Sequence, residues 1–442
     1  MAVCDVRFYN IIILGLSFMF IFTAFQTCSM IEASTLIVWT IATNLGIIYA
    51  VFSASNWAAP SFVNFAGAKL SMLLGASLYF LFILSFLKPM TWALYLGSVL
   101  VGFGAAILWT GQGNFLTVNS DSETISRNSG IFWALLQCSL LFGNMYSYFV
   151  FKGSSEISAD QRTNLFLGLC GAAVLGLLCL LLLRKKIPSN RRFEGSTDNE
   201  ASVNLNSSEA STSSQSSPSA LEGLKTAFRL AKTREMILLS FTFAYTGLEL
   251  TFFSGVYGAC ISHNLHYGAN RNGLVGLSGM FIGVGAILGG GIFGIFGKKT
   301  NKYGRDPVVI MGYLSHMIAF YLIYINIPEN SPLVDTELPT FIESNDKLAL
   351  FCSFLLGFAD SCFNTQLYSI LGFMYPDDSS AAFALFKFVQ SVSTAIGFYY
   401  SLALHLEWQL LILVITGTIG TLTFNIIEWE NNAGTREGYQ TI

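Results

Sequence analysis

The sequence predicts an all-α membrane protein in which twelve transmembrane helices form two pseudo-symmetric six-helix bundles. Of its 442 residues, 53% are hydrophobic and only 11% are charged, whereas soluble globular chains carry about 25% charged residues. The mean hydropathy is +0.57, and a water-soluble fold of this length could not bury so much apolar surface. The apolar residues are grouped in twelve runs, and short stretches of the first half recur in the second.

Each apolar run has roughly the 20 residues that a helix needs to cross the hydrocarbon core. The first run is too long for a typical signal peptide, so we expect it to be an uncleaved first span. Polar residues dilute the second run, whose start is the least defined. The predicted spans are residues 8–28, 36–57, 69–87, 93–116, 130–151, 165–183, 236–257, 274–297, 307–325, 348–371, 381–404 and 409–429.

The distribution of Lys and Arg predicts how the chain is oriented in the lipid bilayer. An even number of spans puts both termini on one side, where the loops hold seventeen Lys and Arg residues against five on the other side. Because positive residues are retained on the cytoplasmic side, both termini are predicted to be cytoplasmic.

A polar segment divides the chain. Residues 194–220 are rich in Ser, Thr, Asn and Glu, a composition that does not order itself. Residues 221–233 then space apolar side chains at helical intervals, which predicts an amphipathic helix on the inner membrane surface; an extension of the seventh span is the alternative. The predicted units are an N-terminal bundle (1–184), a cytoplasmic linker with the amphipathic helix (185–234), a C-terminal bundle (235–429) and a cytoplasmic tail (430–442).

Three pairs of stretches occur in the same order in the two halves, which indicates an internal duplication. They are "NFAGAK" (64–69) with "NKYGRD" (301–306), "GFGAAILWTGQGN" (102–114) with "GFADSCFNTQL" (357–367), and "FWALLQ" (132–137) with "AFALFK" (382–387). Two six-helix repeats joined by a long linker are typical of transporters whose site lies near the midplane between the halves. The shared loop positions are Asn64 with Asn301, Gly67 with Gly304, and Lys69 with Arg305.

The two loops look like degenerate copies of the D-R-x-G-R-[RK] loop of the major facilitator superfamily. Further stretches resemble its unc-93-like branch: "FTAFQTC" (22–28), "LWTGQGNFLT" (108–117), "RNSGIFWALLQ" (127–137), "YTGLELTFFSGVYG" (245–258) and "CFNTQLYSILG" (362–372). The resemblance covers nearly the whole chain and implies the major facilitator fold. Asn replaces the family's loop acid at positions 64 and 301, which puts the charge lock of that loop in doubt.

Two functions follow from this resemblance. One is a secondary transporter that moves a small solute by alternating access, with proton coupling as an option. The other is a non-transporting subunit, because unc-93-like proteins are known as potassium-channel regulators and as escorts of receptors. Degenerate loops favour the second function, and the polar residues within the spans favour the first.

Asp360 and Asn364 form part of a polar stripe on the tenth span, together with Ser361 and Thr365. An ionisable residue at mid-membrane costs about 2.5–3.5 kcal/mol on insertion scales, so it faces protein or water. The functional interpretation is a cavity wall whose carboxylate binds a cation or carries a proton. The structural alternative is a hydrogen bond between helices.

Glu249 and Lys387 are the other ionisable residues well inside spans. Glu249 shares a helix side with Tyr245 and Thr246, so it either handles a proton or makes a structural hydrogen bond. Lys387 pairs with Asp360, binds a substrate anion, or extends toward the headgroups. The repeat aligns Lys387 with Gln137. The uncharged candidates for the substrate or ion pathway are Gln26, Gln112, Asn114 and Gln137.

Enzymatic, cofactor, metal and nucleic-acid functions receive no support from the sequence. His263 and His266 lack a third metal ligand nearby, and His316 is predicted to be a hydrogen-bonded helix residue. Cys28 and Cys260 lie near the outer ends of two spans, and their pairing stays open.

The last residues, Tyr439-Gln-Thr-Ile442, match a sorting signal that a clathrin adaptor binds as an extended strand. Such a signal favours endosomes and lysosomes, with the plasma membrane as the alternative location.

Overall fold

A computed structural model describes residues 6–35, 38–87, 90–151, 159–184 and 220–440. In this part of the chain, the one contact of β type is an isolated bridge between Asn264 and Thr336. The helices are α1 (Val6–Thr35), α2 (Val38–Ser55), α3 (Ala59–Ala66), α4 (Ala68–Ser85), α5 (Thr91–Val118), α6 (Ile125–Phe151), α7 (Ala159–Leu181), α8 (Ala220–Ala231), α9 (Arg234–Thr251), α10 (Tyr257–His263), α11 (Arg271–Tyr303), α12 (Asp306–Asn326), α13 (Asp346–Met374), α14 (Ser379–Ser401) and α15 (Leu406–Gln440).

Apart from α3 and α8, these helices make up twelve long segments, because a π-helical turn over Phe252–Val256 joins α9 to α10. Among the described residues, ten segments are long and apolar enough to cross a membrane. The other two are α2, in which Gly46–Ser55 is an apolar stretch among the residues whose side chains are described, and α6. The prediction of an all-α membrane protein with twelve helices is confirmed. At the C-terminus, α15 continues to Gln440, beyond the predicted end of the last span.

A short helix that the sequence analysis missed, α3, precedes the first repeated loop. It begins with a proline in its first turn, a position that proline favours because no backbone donor is needed there. Gly67 then separates α3 from α4 with φ 81°, and Gly304 separates α11 from α12 with φ 90°. Only glycine adopts this left-handed region readily. The same backbone feature at matching points of both halves supports the duplication.

Lys69 of the first repeated loop binds the end of another helix. Its Nζ donates to the carbonyl oxygens of Leu181 at 2.7 Å and Leu183 at 2.6 Å. These carbonyls lie at the C-terminal end of α7 and two residues beyond it, where the last carbonyls of a helix have no partner within it and a positive charge is favoured by the helix dipole.

Lys69→Met is therefore expected to lower the free energy of unfolding by about 1–2 kcal/mol, because it leaves two carbonyl groups without their charged donor. Denaturant unfolding in detergent measures this loss. Lys347→Met, at an exposed position in the first turn of α13, is the matched control. An equal effect of the two substitutions would contradict the capping role.

The two halves of the chain form separate sets of packed helices that meet along a few pairs. In the first half α1 packs on α6 and α7, and α5 packs on α2 and α4. In the second half α13 packs on α11 and α12, and α9 packs on α14 and α15. Between the halves, α6 contacts α11 and α13, and α14 contacts α2 and α5. These cross-contacts bring the middles of α5, α6, α13 and α14 together.

Polar contacts between the halves gather at the end of the molecule that holds residues 119–124 and 375–378. We call it the closed end. There Ser380 of α14 donates its hydroxyl to Asn64 Oδ1 of α3 at 3.0 Å. At that end a repeated loop of the first half is bonded directly to the second half.

Helix α8 lies across the closed end. Its Phe228 stacks on Trp57 with ring centroids 4.5 Å apart, and its Arg229 forms a 3.3 Å ion pair with Asp378. Thr233 accepts a hydrogen bond from the Met236 amide and caps the start of α9. Helix α8 is thus separate from the seventh span, so the alternative of a simple extension is wrong. Residues 185–219 of the predicted linker lie outside the described residues.

Candidate functional site

The polar stripe of the tenth span is turned toward protein. Asp360 lies in the middle of α13 and is 3% exposed. Gln137 of α6 donates its Nε2 to Asp360 Oδ2 at 3.1 Å, and Asn364 donates its Nδ2 to Asp360 Oδ1 at 2.8 Å. The first bond crosses between the halves. The interhelical hydrogen bond that we described as the structural alternative is therefore present, and it is made by a residue that joins the two bundles.

A second cluster surrounds Glu249 on the neighbouring helix α9. The Nε2 atom of His316, from α12, lies 3.0 Å from Glu249 Oε2, and its Nδ1 lies 2.6 Å from the Tyr245 hydroxyl. The imidazole is fully buried and lies between the rings of Phe320 and Phe363, with centroid distances of 5.2 and 5.9 Å. These contacts hold the ring against Glu249, and the prediction that His316 is hydrogen-bonded is confirmed.

The Glu249 and Asp360 clusters touch. The two carboxyl groups interact electrostatically. Apart from the close approach of His316, neither oxygen of Glu249 has a hydrogen-bond partner among the described residues. Two buried carboxylates repel each other, so a hydrogen bond between these carboxyl groups requires a proton on one of them. The pair can thus hold a shared proton next to the bond between Gln137 and Asp360.

Lys387 is buried in the same region, with 4% of its surface exposed, so the alternative that it extends toward the headgroups is wrong. Its Nζ donates to Gln390 Oε1 at 2.8 Å, and Gln390 in turn donates to Thr246 Oγ1 of α9 at 3.1 Å. The Nζ atom also lies 4.5 Å from the ring centroid of Trp109, on α5 of the other half. This aromatic contact with the first half stabilises a cation.

The remaining pathway candidates fall at three different places. Gln26 accepts a hydrogen bond from Ser139 at 2.9 Å within the first half. Asn114 donates to Ser379 at 3.0 Å and so joins α5 to α14 near the closed end. Gln112 is fully buried, and neither polar atom of its amide has a hydrogen-bond partner among the described residues. Gln112 is the candidate whose bonding capacity is unused.

The second repeated loop carries a buried ion pair. Arg305 Nη1 lies 3.0 Å from Glu428 Oε2 of α15, and the Arg305 backbone amide donates to Glu428 Oε1 at 2.9 Å. Arg305 Nε donates to Ser369 Oγ at 2.9 Å, and the Ser369 hydroxyl lies 2.7 Å from that of Ser126 in the other half. A buried ion pair is therefore present at this loop, with its acid on another helix. The side chain of Asn301 is not among those described.

Sequence reasoning missed three partners in these clusters: the contact of His316 with Glu249, the contact of Trp109 with Lys387, and Glu428. Each lies on a different helix from the residue it contacts. A signal was available for His316, because a lone ionisable residue inside a predicted span needs a buried partner. Glu428 lies at the edge of the last predicted span, where a charged residue is common and so does not indicate a buried partner.

Two further expectations concern the termini and the cysteines. The side chain of Tyr439 and the whole of Ile442 lie outside the described residues, so the sorting signal stays a prediction. Cys28 and Cys260 are both buried and form no disulfide with each other in the structure.

Two six-helix halves that meet through buried polar contacts define a membrane protein of the major facilitator fold. A crystal structure of the E. coli fucose:proton symporter, FucP, matches 96% of this chain and 99% of its own chain, with a TM-score of 0.64 and 13% sequence identity. A FucP structure in the outward conformation matches with a TM-score of 0.59, also at 13% identity, over 95% of this chain and 99% of its own. These likenesses establish the fold.

The chain belongs to the UNC-93 family. The profile described as "Ion channel regulatory protein UNC-93" matches residues 42–425. UNC93-like protein MFSD11 of Xenopus laevis is 49% identical over 434 residues, which cover 96% of each chain. Protein unc-93 homolog A of Homo sapiens is 22% identical over 464 residues, covering 95% of this chain and 93% of the relative.

Proposed function

We propose that this protein is a proton-coupled secondary transporter, and no enzyme, that moves a small solute by alternating access between its two halves. The observation that carries the proposal is the Gln137–Asp360 hydrogen bond, which joins the halves at a carboxyl group adjacent to Glu249. A structural hydrogen bond alone would not require two neighbouring carboxyl groups buried in a membrane protein, where each ionised group is costly.

The coupling follows from the charge of this carboxyl pair. With one shared proton the pair carries a single negative charge, and without it two carboxylates face each other at the junction of the halves. Loading or losing the proton thus changes the electrostatic free energy of the contact that holds the halves together. Such a two-state contact, biased by both proton and solute, is what alternating access requires.

The Lys and Arg distribution supports an orientation with both termini, and hence the closed end, in the cytoplasm. The halves would then separate first on the outer side, because the polar contacts between them gather at the closed end. We further propose that the chain is made of the bundles 1–184 and 235–429, joined by the linker 185–234 and followed by the tail 430–442. The tail would direct the protein to endosomes and lysosomes through Tyr439 and Ile442.

Uptake into proteoliposomes tests the transport proposal. An imposed pH gradient should drive accumulation of at least one member of a broad panel of labelled small solutes by the native chain. Asp360→Asn and Glu249→Gln should each reduce accumulation to the level reached without a gradient, because an amide carries no transferable proton at this site. Asp346→Asn, an exposed position in the first turn of the same helix, should leave accumulation unchanged. Gradient-driven accumulation that survives both substitutions would contradict the proton site.

A second function, regulation or escort of another membrane protein, is favoured by the family description, which names ion-channel regulation. It predicts a stable membrane-protein partner that co-purifies with the native chain and no uptake across the whole solute panel. Uptake assays and a search for co-purifying partners, both made on the same purified protein, therefore distinguish the two functions.

A further inference from the structure

We propose that the solute is a small organic monoanion whose carboxylate binds Lys387 and whose body lies against Trp109. This inference rests on the proposed transport function and specifies the class of its substrate. Lys387 is a buried cation that uses only part of its hydrogen-bonding capacity.

Lys387 lacks the partner that a buried charge normally has. An ammonium group has three N–H donors, and the structure gives one hydrogen bond, to Gln390 at 2.8 Å. No carboxylate of the described residues lies within ion-pair distance of it. Asp360 accepts hydrogen bonds from Gln137 and Asn364 instead. Buried charges are otherwise paired in proteins.

Aromatic rings surround the ammonium group on several sides. Its Nζ lies 4.5 Å from the ring centroids of Trp109 and Phe386, and 5.6 Å from that of Tyr368. Cation–π contacts of this kind favour the charged form of the side chain. They leave its remaining N–H donors without acceptors, so the rings hold the cation in place and do not replace an anionic partner.

Two further polar side chains in this region are buried without partners in the described part of the chain. The hydroxyl of Tyr368, 1% exposed, has no hydrogen bond, and neither does the amide of fully buried Gln112. Tyr368 contacts Lys387, and Gln112 lies one helical turn from Trp109 on α5, on the same side of the helix. An orphaned buried polar group costs about 1–3 kcal/mol, so an unused donor set at one place points to a ligand.

The composition of this donor set identifies the charge of the ligand. One ammonium, one phenol and one amide supply donors around a single positive charge, which matches a group with one negative charge. A phosphate would carry a second negative charge, and among the described residues no second cation contacts the rings that surround Lys387. The Trp109 ring packs against Phe18 in a T-shaped arrangement, with ring centroids 5.3 Å apart. Its face suits contact with the apolar or aromatic part of a ligand.

The location agrees with a transport site. Lys387 and Trp109 belong to different halves, and the contact between Gly113 and Phe383 lies one turn of each helix closer to the closed end. A helix rises about 1.5 Å per residue, so the proposed site lies about 6 Å beyond this contact and about 13 Å from the end of α5 at Val118.

Ligand-dependent thermal unfolding of the purified full chain tests the anion site. The probes are benzoate and lactate, each compared with its uncharged amide, and benzylamine as a cation. We expect an acid to raise Tm and its amide and benzylamine to leave Tm unchanged. Lys387→Gln should weaken binding of that acid at least about tenfold, since it removes the charged donor of the proposed site. Lys387→Arg should retain binding, and the exposed Lys347→Gln serves as the control.

Tryptophan fluorescence provides a measurement that does not depend on the Lys387 variants being stable. Binding of the acid should change the emission of the native chain, and Trp109→Phe should remove that change. Equal responses to acid and amide, or no response to either acid, would overturn the anion site. Acid binding without uptake would leave the site standing and reject transport, whereas uptake of neutral solutes alone would reject only the monoanion.

Discussion

Glu428→Gln is expected to lower the free energy of unfolding by about 3 kcal/mol, because it leaves the buried guanidinium of Arg305 without its counter-charge. Arg305 is 7% exposed and Glu428 is fully buried. The carboxylate accepts from the backbone amide of Arg305 at 2.9 Å and from its Nη1 at 3.0 and 3.3 Å. The glutamine keeps the size and an acceptor oxygen but loses the charge. Denaturant unfolding in detergent measures the loss.

Glu430→Gln is the matched control for this prediction. It changes the same residue type two positions along the same helix, in an ion pair with Arg234 at 2.8 Å whose two side chains are 63% and 47% exposed. An exposed ion pair contributes little in water. The double variant Arg305→Met with Glu428→Met should recover most of the stability, since replacing both members of a buried pair is often neutral. If Glu428→Gln costs no more than Glu430→Gln, the buried pair is not a stabilising lock.

Gly113→Val is expected to shift the molecule away from the state with a closed end. A Cβ atom at Gly113 of α5 would overlap the ring of Phe383 on α14, and this ring is fully buried. Overpacking of this kind costs about 1–3 kcal/mol, which changes the ratio of two states by roughly 5- to 150-fold. The distance between spin labels attached at Ser122→Cys and Asp377→Cys, measured by electron paramagnetic resonance, should become longer.

Gly171→Val is the control for this distance measurement, because nothing lies within 4 Å of a Cβ atom at that position of α7. It should leave the distribution of label distances unchanged. If Gly113→Val gives the native distance and an unchanged Tm, the contact between α5 and α14 does not hold the closed end together. Loss of stability without a longer distance would assign Gly113 to packing alone.

The twelve helices follow from the sequence because a membrane span is a local property. A run of about 20 apolar residues satisfies its own backbone in lipid, whatever the rest of the chain does. The duplication was also readable, and Gly67 and Gly304 support it through their shared backbone conformation. The short helix α3 was missed because it is only eight residues long and follows an apolar run without a clear break.

The partners of the buried charges required the tertiary structure. The sequence identified Glu249, Asp360 and Lys387 by the cost of an ionisable residue in lipid, and this argument says that a partner exists without saying which. Arg305 and Glu428 are 123 positions apart, and Gln137 and Asp360 are 223 apart. Helix packing alone brings such residues into contact, because side-chain bonds between helices depend on the rotation and depth of each helix in the bundle.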